Sequence, residues 1–323
     1  MKKINFNSFS LGRCGGTRFI FELSNGLVDR GFDVSITHAG LPSYHEWFTP
    51  IKSRLIECNI SVASRFLNKY GIHRIDVHKA QEKNMIKAIP ECDFNVATYY
   101  NTAVPTVKSG KGKGLYLVQH YEPVFFPEKS VDSRDAKASY DLPLTKLCVS
   151  KWLTRKVNGV FIGNGLNLNR FKRYPVQKKF DVIILQNLRL DYKGNYNSSI
   201  ERLRKDGFKV LVVDDFSETE LVKAYNLSKV LLCLSEKEGF GYLPLEAMAC
   251  GTAVVSTNCT EYLVDKKNCL LLPDKCSLDD VSSKIKWLID NPKQSQYLVE
   301  GGFETAKEYN FDFVVDRFME VTN

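Results

Sequence analysis

Two glutamates, Glu238 and Glu246, bracket a short loop that contains two glycines and a proline. Residues 230–235 before the loop predict a buried strand and residues 244–250 predict a helix, so the loop follows a strand's carboxyl end, the edge where open α/β sheets bind ligands. Glycines let the backbone approach a ligand, and the N–H groups at a helix start favour phosphate. Carboxylates beside a phosphate are best explained as acceptors for hydroxyls of the same ligand. The pattern therefore predicts a binding site for a nucleotide sugar.

Both glutamates also have a structural interpretation. A glutamate in the first turn of a helix, such as Glu246, stabilises the helix dipole, and Glu238 could be a solvated loop residue. A lone pair of carboxylates at this spacing would be weak evidence. The intervening Gly239-Phe-Gly241 and the following run to Ser256 constrain the segment more tightly, and they favour ligand binding.

The run from Glu238 to Thr257 resembles the donor-site signature of glycosyltransferase family 4, a large retaining family with the GT-B fold. Ala253 stands where that family usually has proline. The resemblance implies that Glu238 contacts the donor sugar near its C3 hydroxyl and that Glu246 holds the ribose hydroxyls. It also implies that backbone groups of Gly239, Phe240, Gly241 and Tyr242 reach the sugar and the diphosphate.

Two cations follow another predicted strand. Arg189 and Lys193 come after residues 182–185, so they lie at the same sheet edge as the Glu238 loop. Arginine binds phosphate as a planar fork and lysine as a point charge, although both residues could be ordinary surface cations. The resemblance implies that they neutralise the donor diphosphate, with a shorter spacing than is usual in the family and with Asn187 in place of a glycine.

The first glycine loop, which ends at Gly15 and Gly16, follows the first predicted strand. It lacks the G-x-G-x-x-G spacing of dinucleotide-binding proteins, so by itself it is a weak phosphate signal. Its resemblance to the amino-terminal loop of family 4 implies contact with the donor diphosphate or with the acceptor channel.

His120 follows a predicted strand at residues 115–119. A lone histidine often has a structural role, because a neutral imidazole can bond a backbone carbonyl. The family resemblance implies that His120 lies by the C6 side of the donor sugar. The following Tyr121-Glu-Pro123 resembles a subset of the family that acts on surface polysaccharides, and Glu122 is a candidate near the acceptor.

The predicted elements indicate an α/β protein of two domains, as its 323 residues lead one to expect. The chain opens as strand, helix (17–30) and strand, and residues 172–179 predict a linker. Strands at 182–185, 209–213, 230–235, 253–257 and 269–272 then alternate with helices at 197–205, 218–228, 244–250 and 278–289. Residues 40–92 and 121–143 have no firm assignment.

The resemblance implies the GT-B fold, with two Rossmann-like doubly wound domains facing across a cleft. Residues 1–172 are predicted to form the acceptor-side domain, together with a terminal helix at about 310–323 that crosses back to it. Residues 180–309 are predicted to bind the donor.

Composition narrows the class of protein. With 44% hydrophobic and 25% charged residues, the chain resembles a soluble globular protein. It has no apolar run of the ~18–20 residues that a membrane span needs, and its charged start does not resemble a signal peptide. Its nine cysteines contain no C-x-x-C pair, and its five histidines form no metal motif. We expect a cytoplasmic protein with reduced thiols, no bound metal, no other cofactor and no nucleic-acid partner.

Charge is distributed unevenly along the chain. Residues 1–172 carry 25 Lys and Arg against 14 Asp and Glu, whereas residues 173–323 carry 20 against 23. The lysines of the basic half could simply keep its surface hydrated. Alternatively, they could attract an anionic membrane or a lipid-linked acceptor. Peripheral association with the inner face of a membrane is therefore one of two open interpretations.

Taken with the resemblance, the motifs predict a retaining hexosyl- or deoxyhexosyltransferase. It would move a sugar from a nucleotide-diphosphate donor to a hydroxyl of a glycan or lipid-linked acceptor by front-face displacement. The residues expected to act in transfer are Glu238, His120, Arg189 and Lys193. Two alternatives stay open: a nucleotide-sugar epimerase of GT-B fold, and a non-catalytic module that binds nucleotide sugars or glycans.

Overall fold

The structure is a computed structural model that describes residues 1–12, 14–39, 51–58, 74–185, 196–214 and 216–322, with the backbone alone for 74–80. The chain divides into two compact units. The first comprises Met1–Asn164 and Phe311–Asn323, and the second comprises Gly165–Asn310. Each unit contains a parallel β-sheet with helices, which confirms the prediction of two parallel-sheet α/β domains.

The first unit has a seven-stranded sheet in the order β3-β2-β1-β4-β5-β6-β7. The strands are β1 (Lys3–Ser8), β2 (Asp33–His38), β3 (Arg54–Glu57), β4 (Phe94–Ala97), β5 (Lys113–Val118), β6 (Thr145–Cys148) and β7 (Val160–Phe161). The helices are α1 (Gly15–Asp29), α2 (Arg74–Ala88), α3 (Tyr100–Lys108), α4 (Val131–Ser139), α5 (Lys151–Val157) and the terminal α11 (Phe311–Thr322), with a 3₁₀ turn at Glu122–Phe125. Strand order reverses between β1 and β4, the kind of position where such sheets bind ligands.

Strand β1 alternates apolar and polar side chains although both of its faces are buried. Ile4 and Phe6 are fully buried, and the Phe6 ring lies 5.9 Å from that of Phe318 in α11. Asn5 and Asn7 on the other face are also fully buried, and the Asn5 amide nitrogen donates to the Asn7 side-chain oxygen at 2.8 Å. Because these amides have partners, a pattern typical of a half-exposed strand is compatible with a central one.

Helix α1 begins earlier than the sequence predicted. Cys14 is its N-cap residue, with its sulfur accepting from the Thr17 N–H at 3.4 Å, so Gly15 and Gly16 belong to the first helical turn. The prediction that these two glycines lie in a loop is therefore wrong. At the other end of α1, a Cβ on Gly26 would lie 2.5 Å from a methyl of Val315, so this glycine lets α11 pack closely against α1.

The second unit has a five-stranded sheet in the order β12-β11-β10-β8-β9. The strands are β8 (Phe180–Leu185), β9 (Val210–Val213), β10 (Ser228–Cys233), β11 (Ala253–Ser256) and β12 (Leu270–Leu271). The helices are α6 (Tyr196–Lys205), α7 (Glu218–Leu227), α8 (Tyr242–Ala249), α9 (Leu278–Asp290) and α10 (Pro292–Glu308). Here strand order reverses between β10 and β8.

Helix α10 has no counterpart among the predicted elements. Its adjacent Gly301 and Gly302 lower helix propensity, but tertiary contact requires them. A Cβ on Gly301 would lie 2.1 Å from the Lys267 carbonyl oxygen, and one on Gly302 would lie 2.8 Å from the Met248 side chain. The glycines therefore allow α10 to lie directly on the neighbouring backbone.

Residues 165–172, which the sequence analysis placed in the first domain, belong to the second unit. The Leu166 N–H donates to the Tyr309 carbonyl at 3.1 Å, and the Asn226 side chain donates to the Lys172 carbonyl at 3.0 Å. These bonds join the segment to the second unit over a long sequence separation, which no local pattern reveals.

All nine cysteines lie in the described part of the chain and all are free thiols, six of them buried. No helix among the described residues is both long and apolar enough to cross a membrane.

Candidate functional site

The Glu238 loop leaves the carboxyl end of β10, the central strand of the second sheet and one of the two strands at which its order reverses. Helix α8 then begins at Tyr242, two positions before the predicted start at Pro244. Gly241 precedes it with a φ of 85°, a left-handed conformation that glycine adopts without strain. Pro244 lies within the first turn, where a missing N–H costs no helical hydrogen bond.

The segment after β11 holds the loop in place. The Glu238 N–H donates to the Cys259 carbonyl at 2.9 Å, and the Thr260 hydroxyl donates to the Phe240 carbonyl at 2.6 Å. The Tyr262 hydroxyl donates to the carbonyl of Gly241. These bonds satisfy successive backbone groups of the loop, so its conformation is defined before any ligand arrives.

The side chain of Phe240 anchors the loop through contacts with two tyrosine rings. Its buried ring lies 5.6 Å from the Tyr262 ring and 5.5 Å from the Tyr309 ring, both in tilted contacts. Because the Phe240 side chain is buried, a ligand can meet this part of the loop only through the adjacent peptide groups. The role that the resemblance implied for the loop backbone stays a prediction.

The two glutamates differ in environment. Glu238 is half-buried, whereas Glu246 on α8 is only 1% exposed. One Glu246 carboxylate oxygen accepts a hydrogen bond at 3.0 Å from the hydroxyl of Tyr225, a fully buried residue of α7. A buried carboxylate needs such donors, and Tyr225 fixes its orientation. The sequence analysis missed Tyr225, since a tyrosine inside an amphipathic helix carries no local sign of this contact.

Tyr225→Phe is expected to weaken binding of the donor nucleotide about tenfold, because the net worth of one hydrogen bond to a charged group is about 1.5 kcal/mol. Titration calorimetry with nucleoside diphosphates measures this. Tyr297→Phe, a change at an exposed tyrosine of the same unit, serves as the control. Unchanged affinity in Tyr225→Phe would mean that Tyr225 does not orient Glu246 for the ligand.

The first unit brings the other predicted segments together at its own sheet. Gly15 and Gly16 start α1 directly after the β1 loop, and a Cβ on Gly16 would lie 3.3 Å from the side-chain oxygen of Gln119. Gln119 immediately precedes His120 and follows β5. The amino-terminal glycines and the histidine segment are therefore neighbours at the carboxyl edge of this sheet.

His120 is half-buried with its ring beside two aromatic side chains. The ring centroid lies 4.6 Å from that of Phe125 and 6.2 Å from that of Trp152, the latter edge-on. The His120 carbonyl accepts from the Tyr140 hydroxyl at 3.2 Å. Both its side chain and its backbone are therefore positioned by the residues that follow β5 and β6.

Glu122, the candidate near the acceptor, is a buried residue of the first unit. It is only 2% exposed, and its carboxyl accepts from the Tyr100 N–H at 2.7 Å and from the Tyr116 hydroxyl at 3.3 Å. Burial raises the pKa of Glu122 to about 8, against the lowering effect of these hydrogen bonds. The Glu122 carboxyl is directed at the start of α3 and at β5, so its described contacts are structural ones within the first unit.

The predicted site residues thus fall into two described groups. Gly15, Gly16 and His120 belong to the first unit, and Glu238, Gly239, Phe240, Gly241, Tyr242 and Glu246 belong to the second. Arg189 and Lys193 lie outside the described residues. The strand before them, β8, is hydrogen-bonded to β10, so the chain leaves β8 next to the strand that leads into the Glu238 loop.

Comparison with known proteins identifies related chains. Residues 183–305 match the family model described as glycosyl transferases group 1. An uncharacterized glycosyltransferase of Methanocaldococcus jannaschii, MJ1178, is 25% identical over 202 residues, which is 51% of this chain and 55% of that protein. The alignment therefore spans about half the length of this curated relative.

Three solved structures share the fold over almost the whole chain. Sucrose-phosphate synthase from Thermosynechococcus elongatus has a TM-score of 0.76 at 14% identity, covering 99% of this chain and 98% of its own. Anabaena HepE, in complex with UDP and glucose, has a TM-score of 0.74 at 12% identity and 99% coverage of both chains. WaaG, a glycosyltransferase involved in lipopolysaccharide biosynthesis, has a TM-score of 0.71 at 12% identity, also covering 99% of both.

At these identities the solved structures establish the fold, and the family match covers most of the second unit. The chain has the GT-B fold, and its residues 183–305 match the glycosyl transferases group 1 model, which together support a glycosyltransferase.

Proposed function

We propose that this protein is a retaining glycosyltransferase of family 4 that moves a sugar from a nucleoside-diphosphate sugar to a hydroxyl of a glycan or lipid-linked acceptor. The observation that carries the proposal is the placement of Glu238 and Glu246 around a pre-shaped glycine loop at the carboxyl end of β10. The Anabaena HepE complexes with UDP-glucose and with UDP and glucose lend support, since that protein shares the fold.

The different environments of the two carboxylates support different roles. Glu246 is buried and oriented by Tyr225, so it is suited to a fixed part of the donor, the ribose hydroxyls. Glu238 is half-buried at the start of the loop, so it is suited to the sugar, which must enter and leave. Backbone N–H groups between them are suited to the diphosphate.

Transfer forms a bond between the acceptor oxygen and the sugar C1 and breaks the bond between C1 and the donor phosphate. In the front-face mechanism that we propose, the acceptor's proton passes to an oxygen of the departing phosphate on the same face. Arg189, Lys193 and the start of α8 would stabilise the charge that develops on the diphosphate, and His120 would contact the sugar. Catalysis would then depend mainly on positioning and charge stabilisation.

A cavity in the first unit supports an uncharged acceptor. It measures about 680 Å³ and lies among α2, α3 and α4, within the ~300–1,000 Å³ typical of small-molecule sites. Its described lining includes the carboxylates of Glu82, Asp132 and Asp135 and no Lys or Arg. Carboxylates accept hydrogen bonds from sugar hydroxyls and repel anions. The Lys and Arg excess of residues 1–172 supports a separate contact with an anionic membrane at its cytoplasmic face.

Labelled UDP, GDP and TDP sugars, incubated with neutral and with uronate-containing glycan acceptors, test the proposal. We expect nucleoside diphosphate to be released with a neutral acceptor, unaffected by EDTA, and the new linkage to keep the donor's anomeric configuration by NMR. A free epimer would identify an epimerase, binding without turnover would identify a binding module, and inverted product would contradict the retaining assignment.

A further inference from the structure

A buried carboxyl group joins three elements of the first unit behind His120. Glu122 begins the 3₁₀ turn Glu122–Phe125, and its side chain reaches the first N–H of α3, that of Tyr100, at 2.7 Å. The same carboxyl oxygen accepts from the hydroxyl of Tyr116 on β5 at 3.3 Å. This side chain therefore ties the loop after β5 to the start of α3 and to the strand itself.

A tyrosine hydroxyl closes the turn from the opposite side. The Glu122 N–H donates to the Tyr140 hydroxyl at 3.1 Å, and that hydroxyl donates to the His120 carbonyl at 3.2 Å. The Tyr140 ring also stacks between the rings of Tyr116 and Tyr121, at centroid distances of 5.6 and 5.7 Å. The backbone of residues 120–122 is thus held by Tyr140 on one side and by the Glu122 carboxyl on the other.

The neighbouring ionisable groups leave the Glu122 carboxyl in an uncharged setting. Burial raises the pKa of Tyr116 and of Tyr140 well above that of a free tyrosine, and it raises the pKa of Cys148 on β6 to about 12, so all three are neutral at pH 7. The charged groups nearby contact other members of the cluster. Lys146 of β6 donates to the Tyr140 carbonyl at 3.0 Å, and Lys156 of α5 lies over the Tyr121 ring at 4.7 Å. Asp132 of α4 accepts from the Tyr100 hydroxyl at 3.0 Å.

We infer that Glu122 is a positioning residue for the proposed transfer: its buried carboxyl holds the turn that presents His120, and the turn loosens when that carboxyl carries a charge. Glu122 is 2% exposed, and no cation among the described residues forms a salt bridge with it, so water must enter to solvate a charge there. This cost outweighs the strengthening of the two hydrogen bonds that the carboxyl accepts. The effect on rate rests on the proposed function, whereas the effect on the turn does not. Loosening matters because the His120 ring packs on Phe125, which belongs to the same turn. A shift of about 1 Å in a contacting group is enough to lower the rate.

Amide hydrogen exchange of peptides covering residues 119–126, corrected for the intrinsic effect of pH, tests the turn directly. In the wild type we expect protection to fall at least tenfold between pH 7 and pH 9.5. Glu122→Gln keeps the acceptor oxygen and cannot ionise, so its protection should stay level. Glu128→Gln, at an exposed glutamate just beyond the turn, should follow the wild type.

Tyr140→Phe provides a second, independent test. It removes the hydroxyl bridge and keeps the carboxyl, so it should lower protection at every pH while retaining the alkaline fall. The inference is overturned if Glu122→Gln shows the same alkaline fall as the wild type, or if protection in the wild type does not depend on pH.

The pH profile of kcat/KM tests the consequence for catalysis. Glu122→Ala should lose about tenfold at pH 7, Glu122→Gln should restore most of that loss, and the alkaline limb of Glu122→Gln should lie about one pH unit higher. An unshifted limb would contradict the positioning role. A wild type inactive with every donor would refute the proposed function alone, since the exchange experiment would still decide the role of Glu122 in the turn.

Discussion

Glu238→Ala is expected to lower kcat/KM for sugar transfer about 100-fold or more, a loss of ~2.7 kcal/mol of transition-state stabilisation. Glu238 is the first residue of the glycine loop. Its backbone N–H donates to the Cys259 carbonyl, which fixes the position from which the side chain projects. In the proposed role, Glu238 accepts hydrogen bonds from the sugar, and its removal takes them away at the stage when C1 must be aligned with the acceptor oxygen. Because these bonds orient the reacting group, the loss should appear mainly in kcat.

Comparison with Glu246→Ala assigns the two carboxylates to different parts of the donor. Binding of the matching nucleoside diphosphate, measured by calorimetry, should be nearly normal in Glu238→Ala and weakened about tenfold or more in Glu246→Ala. Glu236→Ala changes an exposed glutamate two positions before Glu238 and should leave both transfer and binding within about twofold. Transfer by Glu238→Ala within a few-fold of the wild type would sink the assignment of Glu238 to the sugar.

Glu122→Gln is expected to remove a pH dependence from the stability of the first unit. Burial raises the pKa of this carboxyl from 4.5 to about 8, so between these values the folded unit holds a proton that the unfolded chain has released. Folding then takes up a proton, and the free energy of unfolding falls as pH rises through this window. The wild type should therefore lose on the order of 4 kcal/mol relative to Glu122→Gln between pH 4.5 and pH 8.

Urea unfolding at several pH values measures this difference. In a background that carries Trp47→Phe and Trp287→Phe, the remaining tryptophan is Trp152, which belongs to the first unit, so its fluorescence reports on that unit. Glu128→Gln in the same background should give a curve parallel to the wild type. If the curves of Glu122→Gln and the wild type are also parallel, Glu122 does not hold its proton in the folded state.

Features that depend on neighbours in sequence were predicted well. The capping box at Ser217 and Glu220 is confirmed, with the Ser217 N–H donating to the Glu220 carboxylate at 2.9 Å, because such a cap involves residues three apart on one turn. The strand that leads into the Glu238 loop and the helix that follows it were also predicted, with ends that differ by about two residues.

Features that depend on distant contacts were missed. Helix α10 was not predicted because its two glycines are explained only by the backbone of Lys267 and the side chain of Met248. The burial of Glu122 was not predicted, for a similar reason. Its proline neighbour and its place after a strand are typical of an exposed loop, whereas Tyr100 and Tyr140, which enclose it, come from α3 and from the end of α4.

The family resemblance implied the GT-B fold. By itself, the sequence determined the two-domain α/β class, the order of most strands and helices along the chain, and the identity of the loop between Glu238 and Glu246. Those properties follow from side-chain periodicity and from glycine, which act over a few residues. Only the tertiary structure decided that Glu246 is held by Tyr225, and that Glu122 is a buried acid behind His120 rather than a group facing the acceptor. The physical reason is that burial and hydrogen-bond partners, which set the charge and orientation of a carboxyl group, come from elements distant in sequence.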